Sequence, residues 1–250
     1  KLDSLHGWIA TATGSPLAGK SYADTGPILE RDLARRAGLG WFGKNTNLIN
    51  PGIGSFFFIG SLFLDLELEP DTPFEADRCG RCTRCLDVCP TDAFVSEHVL
   101  DATKCISYLT IEARGAMPAE LREKVGTLIY GCDICQDVCP WNQRFSQDAS
   151  ITEFEPRPVL ASNDSRTIAR QILAIDTAEF REAFKGSPMK RAKLTGLKRN
   201  AAVALGNGGN PDDIPALTAA AASSDPLVSE HASWALGQIH ASRLSHLTTI

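Results

Sequence analysis

The sequence predicts an α+β multidomain fold, because three stretches of different composition follow one another along its 250 residues. Residues 55–66 are short, aromatic and almost wholly apolar, which is typical of a strand buried on both faces of an α/β sheet. All eight cysteines lie between residues 79 and 139. After them the chain becomes alanine-rich and predicts helices. We therefore expect domains at residues 1–70, 71–150 and 151–250, the first of them part of an α/β domain.

The clearest helix of the first domain is predicted within residues 22–40. Asp24 or Thr25 would cap its N-terminus, and Pro27 would occupy its first turn, where the missing N–H has no partner to lose. Gly38 would end it. The sequence alone therefore favours a structural role for Asp24, as a helix cap or turn former.

Three glycines after this helix, Gly38, Gly40 and Gly43, formally match the G-x-G-x-x-G fingerprint of dinucleotide-binding proteins. That fingerprint needs a strand before the glycines and a helix after them. Here a helix precedes them, so we reject a dinucleotide site. Residues 44–55 are rich in Asn, Gly and Pro and predict a loop with many free amides.

The cysteines predict iron-sulfur chemistry. Cys79, Cys82, Cys85 and Cys89, followed by Pro90, have the spacing of bacterial ferredoxins, in which three cysteines bind one 4Fe-4S cluster and the fourth binds its neighbour. A second group of three, also followed by a proline, lacks its early cysteine, and Cys105 can supply it. The crossed pattern predicts Cys79, Cys82, Cys85 and Cys139 for the first cluster, and Cys105, Cys132, Cys135 and Cys89 for the second.

The alternative is a pair of structural zinc sites, each built from two C-x-x-C pairs. Zinc has no use for the third cysteine two residues further on, or for the proline after the fourth. The spacing therefore favours a ferredoxin-like domain with two 4Fe-4S clusters, which is an electron-transfer arrangement. The five histidines, His6, His98, His231, His240 and His246, form no ligand pair with the cysteines, and we interpret them as structural or surface residues.

Charge and hydropathy exclude other classes of protein. The formal net charge is -5, which argues against indiscriminate binding of polyanions, but residues 181–199 carry seven basic residues and a single acidic one. The longest apolar run is broken by Gly60 and Ser61 and is shorter than the roughly 20 residues of a membrane span. The start resembles no signal peptide, and C-x-x-C spacing suits a reducing compartment, so we expect a cytoplasmic protein without a membrane segment.

The alanine-rich part contains two similar stretches, which begin at Arg199 ("RNAAVALGN") and at Glu230 ("EHASWALGQ"). Leu205-Gly206 matches Leu236-Gly237 at a spacing of 31 residues. A period of this size suggests stacked helical hairpins, although two copies are a weak repeat signal.

Three features in this order, residues 23–55, the two-cluster cysteine pattern and residues 189–207, resemble the epoxyqueuosine reductase family. The resemblance begins at about Asp24 and runs to the end of the chain. It implies a cobalamin-binding α/β domain, present only in its C-terminal part at residues 1–70. It also implies a ferredoxin-like 4Fe-4S domain at 71–150 and an α-helical HEAT-like tail at 151–250 that helps to grip tRNA.

The resemblance also implies the reaction, the reduction of epoxyqueuosine to queuosine in the anticodon loop of tRNA. Electrons would pass singly through the two clusters to cobalamin, and the epoxide oxygen would leave as water. Expected partners are tRNA carrying epoxyqueuosine and an electron donor such as flavodoxin or ferredoxin with its reductase. We expect a monomer.

Individual residues inherit roles from the resemblance. Asp24 matches the proton donor of the family. The positions at which the family contacts its cofactor correspond to Asp24, Lys44, Asn45, Cys132 and Asp133. The predicted tRNA contacts are Arg31, Lys190, Arg191, Lys198 and Arg199. The simpler alternatives are an ordinary solvated loop for Lys44 and Asn45, and solvated helix charges for the basic residues.

Two other functions remain open at the level of sequence. A reductive dehalogenase would use similar cofactors on a different substrate, but such enzymes usually lack a basic helical tail. In a ferredoxin-type electron-transfer module, Asp24 would only cap a helix and the tail would bind protein.

Overall fold

The computed structural model describes residues 1–149, 151–162 and 164–247, with the side chains of 244–247 left undescribed. The chain forms two compact units. Unit 1 comprises Lys1–Val88, Phe94–Leu100 and Ile134–Asp148, and unit 2 comprises Cys89–Ala93, Asp101–Asp133 and the chain from Ala149 onward. The cysteine region, predicted as one domain at 71–150, thus contributes segments to both units.

The described chain is mainly helical. Its α-helices are, in order, α1 (Leu2–Thr13), α2 (Glu30–Arg36), α3 (Arg84–Asp87), α4 (Ile106–Ile111), α5 (Ala119–Arg122), α6 (Ile134–Asp137), α7 (Pro140–Phe145), α8 (Ser165–Ala174), α9 (Thr177–Ala183), α10 (Lys193–Gly208), α11 (Ile214–Ala221) and α12 (Pro226–Leu247). Short 3-10 turns cover Ala102–Lys104, Thr152–Phe154, Pro158–Leu160, Pro188–Ala192 and Pro211–Asp213. The strands are β1 (Gly19–Tyr22), β2 (Trp41–Phe42), β3 (Leu48–Ile49), β4 (Ser61–Leu64), β5 (Phe94–Ser96) and β6 (Val99–Leu100).

The strands of unit 1 form three small antiparallel pairs, β1 with β4, β2 with β3 and β5 with β6. The prediction of a strand buried on both faces at residues 55–66 is wrong. Only β4 forms there, opposite β1, and Phe58 is 84% exposed while Phe63 is 44% exposed. An apolar run becomes a doubly buried strand only where layers cover both faces, and the described part of unit 1 covers β4 incompletely.

Helix α2 begins later than the sequence predicts. Its N-cap is Leu29, without a side-chain hydrogen bond, so neither Asp24 nor Thr25 caps it and Pro27 precedes it. Asp24 has a φ of 62°, whereas an N-cap residue usually has an extended backbone, so the cap interpretation of Asp24 is wrong. The predicted end is confirmed, because Gly38 follows the helix with a φ of 72°, which glycine adopts without steric cost.

The glycines after α2 serve backbone geometry. The β2–β3 hairpin brings Gly40 so close to Ile49 that an added Cβ would lie 2.1 Å from the Ile49 carbonyl oxygen. A helix precedes Gly38 and a hairpin follows it, which agrees with the rejection of a dinucleotide site.

The core of unit 2 lies between helices α8, α10, α11 and α12. Small side chains such as Ala201 and Ala235 let the helices approach closely, and Leu205, Leu217 and Ile239 fill the space between them with no exposed surface. A second cluster around Ile106, Leu109 and Met117 packs the cysteine-bearing segment of this unit against Val203 and Trp234.

Asn200 on α10 and His231 on α12, which lie 31 residues apart, make similar hydrogen bonds to the same segment of backbone. Asn200 and His231 are both fully buried, and both bind the backbone of the segment 101–133. Asn200 donates to the carbonyls of Thr110 and Ile129, while His231 Nε2 accepts from the Met117 N–H at 3.1 Å. Burial lowers the pKa of His231, which keeps the ring neutral and Nε2 available as an acceptor.

Among the helices in the described part of the chain, none combines the length and the apolar composition that crossing a bilayer requires.

Candidate metal centre

Four cysteines surround one cavity in unit 1. Cys79, Cys82, Cys85 and Cys139 line a space of about 190 Å³, with Trp141 beside them. Cys139 is only 8% exposed and stands directly before α7, which Pro140 begins. The structure thus brings the fourth predicted ligand to the first three across a long stretch of chain, as the crossed pattern requires.

Local hydrogen bonds shape the first cysteine group. The carboxylate of Asp77 accepts from the Cys79 N–H at 2.7 Å, and the Cys82 N–H donates to the Cys79 carbonyl at 3.2 Å. Thr83 precedes the short helix α3, which carries Cys85, and its hydroxyl donates to the carboxylate of Asp87 at 2.8 Å. These turns set the thiols of this group around the cavity.

A buried hydrogen-bond donor lies next to two of these cysteines. Trp41 is 2% exposed and packs against Cys79 and Cys139, and its indole N–H makes no hydrogen bond of normal geometry within the described residues. Burial raises the pKa of the Cys79 thiol, and the neighbouring Trp41 N–H opposes this increase. A buried donor is expected to have an acceptor, and the anionic sulfur of an iron-sulfur cluster would provide one.

Burial also raises the pKa of Cys85, to about 11. Metal ligands must be thiolates, so iron bound by these cysteines would displace the protons of their thiols. Three cations, Lys44, Arg78 and Arg84, line the same cavity and oppose the negative charge that four thiolates bring.

The solvated-loop interpretation of Lys44 and Asn45 is wrong, because both side chains are buried, at 4% and 3% exposed. The Lys44 ammonium lies 2.8 Å from a carboxylate oxygen of Glu97, and this hydrogen bond raises its pKa. Asn45 donates to the carbonyl of Cys135 at 3.3 Å, and the Asn47 amide lies 3.9 Å from the Cys135 sulfur. Residues 44–47 therefore lie against two of the cysteine groups.

The end of the same loop is fixed by Asn142, which is 1% exposed. Its side-chain oxygen accepts from the Ser55 N–H, and its amide donates to the Ser55 hydroxyl at 2.9 Å and to the Gln136 carbonyl at 2.8 Å. Asn142 thus holds the end of the loop, at Ser55, to the helices α6 and α7 on either side of Cys139.

Sequence reasoning missed Trp41, Asn47, Glu97 and Asn142. Each acts on a residue that is distant in sequence, so no local spacing could have identified it. The histidines interpreted as structural include His98, whose Nδ1 lies 3.1 Å from the Gly43 carbonyl and whose Nε2 lies 3.4 Å from the Asp77 carboxylate. The side chain of His246 lies outside the described residues.

The cysteines predicted for the second cluster are divided between the units, with Cys89, Cys105 and Cys132 in unit 2 and Cys135 in unit 1. Cys89 Sγ accepts from the Ala93 N–H at 3.4 Å. The Ser107 hydroxyl donates to the Cys132 carbonyl at 3.2 Å, which ties the chain just after Cys105 to the chain at Cys132. Asp133, next to Cys132, is exposed.

The remaining predicted site residues of unit 1 lie in and after the loop that joins β1 to α2. Asp24 is exposed at the left-handed turn of this loop. Arg31 lies on the first turn of α2, donates to the Thr46 carbonyl and lines an open cavity of about 380 Å³ with Phe42 and His98.

The basic residues of unit 2 differ in accessibility. Lys190 and Lys198 are half-buried, and burial lowers the pKa of Lys198. Arg191 pairs with the Glu112 carboxylate at 2.6 Å and keeps 41% of its side chain exposed. All three side chains are thus partly exposed to solvent.

The predicted phosphate contact of Arg199 is wrong. Arg199 is 1% exposed and donates to the carbonyls of Leu109, Ala113 and Gly115. Burial lowers its pKa to about 10, so the guanidinium stays charged at neutral pH, but its donors face protein. A guanidinium that donates to backbone carbonyls inside the protein does not present these donors to a phosphate.

Arg199→Leu is therefore expected to destabilise the protein without acting specifically on nucleic acid. Three carbonyl oxygens lose their donor, which costs on the order of 3 kcal/mol, and the thermal midpoint falls. Lys190→Ala is the matched control: its midpoint should change little, while the tRNA contact that the sequence predicts for Lys190 implies a salt dependence of tRNA affinity weaker by about one unit of slope. Thermal denaturation and salt titration of tRNA binding distinguish the two. If the Arg199→Leu protein had unchanged stability and bound RNA more weakly, the prediction that Arg199 contacts phosphate would be correct after all.

Comparison with known proteins agrees with this geometry. Residues 78–142 match the family model of the 4Fe-4S double cluster binding domain. Over 224 residues the chain is 47% identical to the epoxyqueuosine reductase of Xanthomonas campestris pv. campestris, which covers 89% of this chain and 61% of that relative. The chain thus spans about three fifths of the length of the curated relatives it matches.

Solved structures are similar over nearly the whole chain. An epoxyqueuosine reductase with a tRNA-Tyr epoxyqueuosine-modified stem loop has a TM-score of 0.80 at 34% identity, covering 95% of this chain and 61% of that one. The epoxyqueuosine reductase of Bacillus subtilis, described with its catalytic aspartate loop swung out of the active site, has a TM-score of 0.79 at 33% identity and the same coverage. The match to a double-cluster model favours 4Fe-4S clusters over zinc in the cysteine region.

Proposed function

Because the chain belongs to the epoxyqueuosine reductase family, we propose that this protein reduces epoxyqueuosine to queuosine in the anticodon loop of tRNA. The observation that carries the proposal is the cavity of unit 1 that Cys79, Cys82, Cys85 and Cys139 line together, with the buried Trp41 packed against two of them. A domain that holds two 4Fe-4S clusters serves one-electron transfer, and reduction of an epoxide to an alkene consumes two electrons.

The reductase needs cofactors, and we assign two 4Fe-4S clusters and cobalamin. When bound, the clusters would supply single electrons and cobalamin a strongly reducing metal centre. The chain contributes the fixed environment. Trp41, which packs against Cys79 and Cys139, and the buried loop at Lys44 and Asn45 would keep water from one side of the first cluster, and the ammonium of Lys44 would offset part of its charge. The side chains of Lys44 and Asn45 both line the cysteine cavity. A contact between this loop and the corrin would therefore come from the loop's backbone. Asp133 is the contact beside the second cluster.

We assign Asp24 as the proton donor of the reaction. It stands in an exposed loop between β1 and α2, and a left-handed backbone at a non-glycine residue is a feature that clusters at functional sites. The catalytic aspartate loop of the Bacillus subtilis reductase, which is described as swung out of its active site, supports a mobile acid in this family.

The tRNA partner would meet basic side chains. Arg31 lies in unit 1, while Lys190, Arg191 and Lys198 lie at the start of the α10 region, where phosphate contacts would position the anticodon stem loop. The solved complex of a relative with a modified tRNA stem loop supports this partner. We further propose that helices α8–α12 are a HEAT-like tail, that a flavodoxin or ferredoxin with its reductase donates electrons, and that the protein acts in the cytoplasm as a monomer.

The alternatives are less well supported. The three relatives named above are epoxyqueuosine reductases, and none of them is a dehalogenase or a simple electron carrier. The basic residues of unit 2 also fit an RNA substrate better than a small halogenated molecule.

The experiment that tests the function is anaerobic purification of the complete protein, followed by iron analysis and an assay on tRNA that carries epoxyqueuosine. We expect about eight iron atoms per chain and conversion of the nucleoside to queuosine, measured by mass spectrometry of the digested tRNA. Cys82→Ser is the control that should lose conversion. Full iron content with no conversion in the presence of cobalamin and a reductant would contradict the proposal.

A further inference from the structure

The segment of unit 2 that joins two predicted ligands of the second cluster is tied together by one side chain. This segment begins near Cys105 and ends at Cys132. The Asn200 amide on α10 donates to the Thr110 carbonyl at 2.8 Å and to the Ile129 carbonyl at 2.8 Å. Thr110 lies five residues after Cys105, and Ile129 lies three residues before Cys132. One amide group therefore bridges the two chain ends that carry these cysteines.

The orientation of that amide is itself determined. Arg199 donates to the Asn200 side-chain oxygen through Nε at 3.0 Å and through Nη2 at 2.9 Å. Both N–H groups of Asn200 are thus left for the two carbonyls, and the residue has no exposed surface. All hydrogen-bonding groups of the amide are used.

Further hydrogen bonds extend the bridge to the cysteines. The Thr110 hydroxyl accepts from the Gly131 N–H at 3.0 Å, directly before Cys132, and donates to the Ile106 carbonyl at 2.7 Å, directly after Cys105. A shift of either segment would break several of these bonds together. The position of one cysteine relative to the other therefore depends on α10.

We propose that Asn200 is a positioning residue for the second 4Fe-4S cluster, holding Cys105 and Cys132 at the separation that the cluster requires. This inference rests on the two clusters of the proposed function and on the ligands that the crossed cysteine pattern predicts for the second of them. It makes helix α10 of the tail part of the electron-transfer apparatus. Residues that orient the ligands of a metal centre tune its affinity and potential, even when they do not touch the metal.

The same helix provides a matched control. Asn207 also uses its amide to bind two carbonyls, those of Arg122 at 2.7 Å and Gly126 at 2.8 Å, in the middle of the same segment. Replacing Asn207 by aspartate removes two donated hydrogen bonds, the same number as at Asn200. Its partners are farther from both cysteines along the chain, so its loss should affect stability but not the cluster.

The test compares Asn200→Asp with Asn207→Asp in the complete protein carrying Cys82→Ser, which leaves only the second cluster. Aspartate keeps the side-chain volume, and at position 200 it keeps the acceptor for Arg199, while both N–H donors are lost. Iron content, the electron paramagnetic resonance spectrum of the reduced cluster and its potential are measured after anaerobic reconstitution.

We expect Asn200→Asp to lose the remaining cluster or to shift its spectrum and potential, and Asn207→Asp to retain all three at the values of the parent. If Asn200→Asp melts cooperatively and keeps the iron, spectrum and potential of the parent, the proposal is overturned. Equal effects of the two substitutions also overturn it, because they would show general loss of stability. A parent protein without its cluster would instead contradict the proposed function.

Discussion

Replacing Asp24 with asparagine is expected to lower the rate of epoxyqueuosine reduction by about 100-fold to 10,000-fold, the usual contribution of a positioned general acid. Asparagine removes the transferable proton but keeps the shape of the side chain. It also tolerates the left-handed backbone, with its φ of 62°, nearly as well as aspartate does. A loss of rate therefore reports on the proton and not on a rearranged loop.

The measurement is single-turnover conversion of modified tRNA by the pre-reduced protein. Asp92→Asn is the matched control, since Asp92 is another exposed aspartate with a positive φ, of 51°, and it contacts only Lys124 among the ion pairs described. Both variants should bind iron and tRNA like the parent. Unchanged turnover of Asp24→Asn would remove Asp24 from the chemistry.

The second large effect concerns the crossed arrangement of the cysteines. Cys139→Ser is expected to remove the first cluster and about half of the iron, although Cys139 belongs by sequence to the second group. The structural reason is that Cys139 lines the same cavity as Cys79, Cys82 and Cys85. Turnover should be abolished, because the path for electrons is interrupted.

Double substitutions distinguish the crossed arrangement from one in which each group binds its own cluster. Cys82→Ser with Cys139→Ser should lose no more iron than either change alone, since both ligands serve one cluster. Cys82→Ser with Cys105→Ser should lose nearly all of it. Iron analysis with electron paramagnetic resonance reads both results. If Cys82→Ser and Cys139→Ser together lost the sum of the iron that each loses alone, the crossed assignment would be wrong.

The chemistry of the cysteine region could be predicted from the sequence because ligand spacing is a local property. C-x2-C turns place consecutive thiols on one side of a short loop, as at Cys79 and Cys82, whatever surrounds them. The end of α2 was predictable for a similar reason, since Gly38 stops a helix through its own backbone. The start of α2 was not, because the left-handed turn at Asp24 excludes the capping geometry that the local sequence favours.

The sequence by itself determined that the cysteine region is of the double-cluster 4Fe-4S type, and it predicted a crossed set of ligands, since both depend on residue type and spacing. Only the tertiary structure decided which charges are available to a partner. Lys44 and Arg199 read as exposed cations, yet one faces the thiols and the other binds backbone carbonyls inside unit 2. The physical reason is that burial of a charge depends on groups far away in the chain that neutralise or solvate it, such as Glu97 for Lys44 and the carbonyls near Leu109 for Arg199.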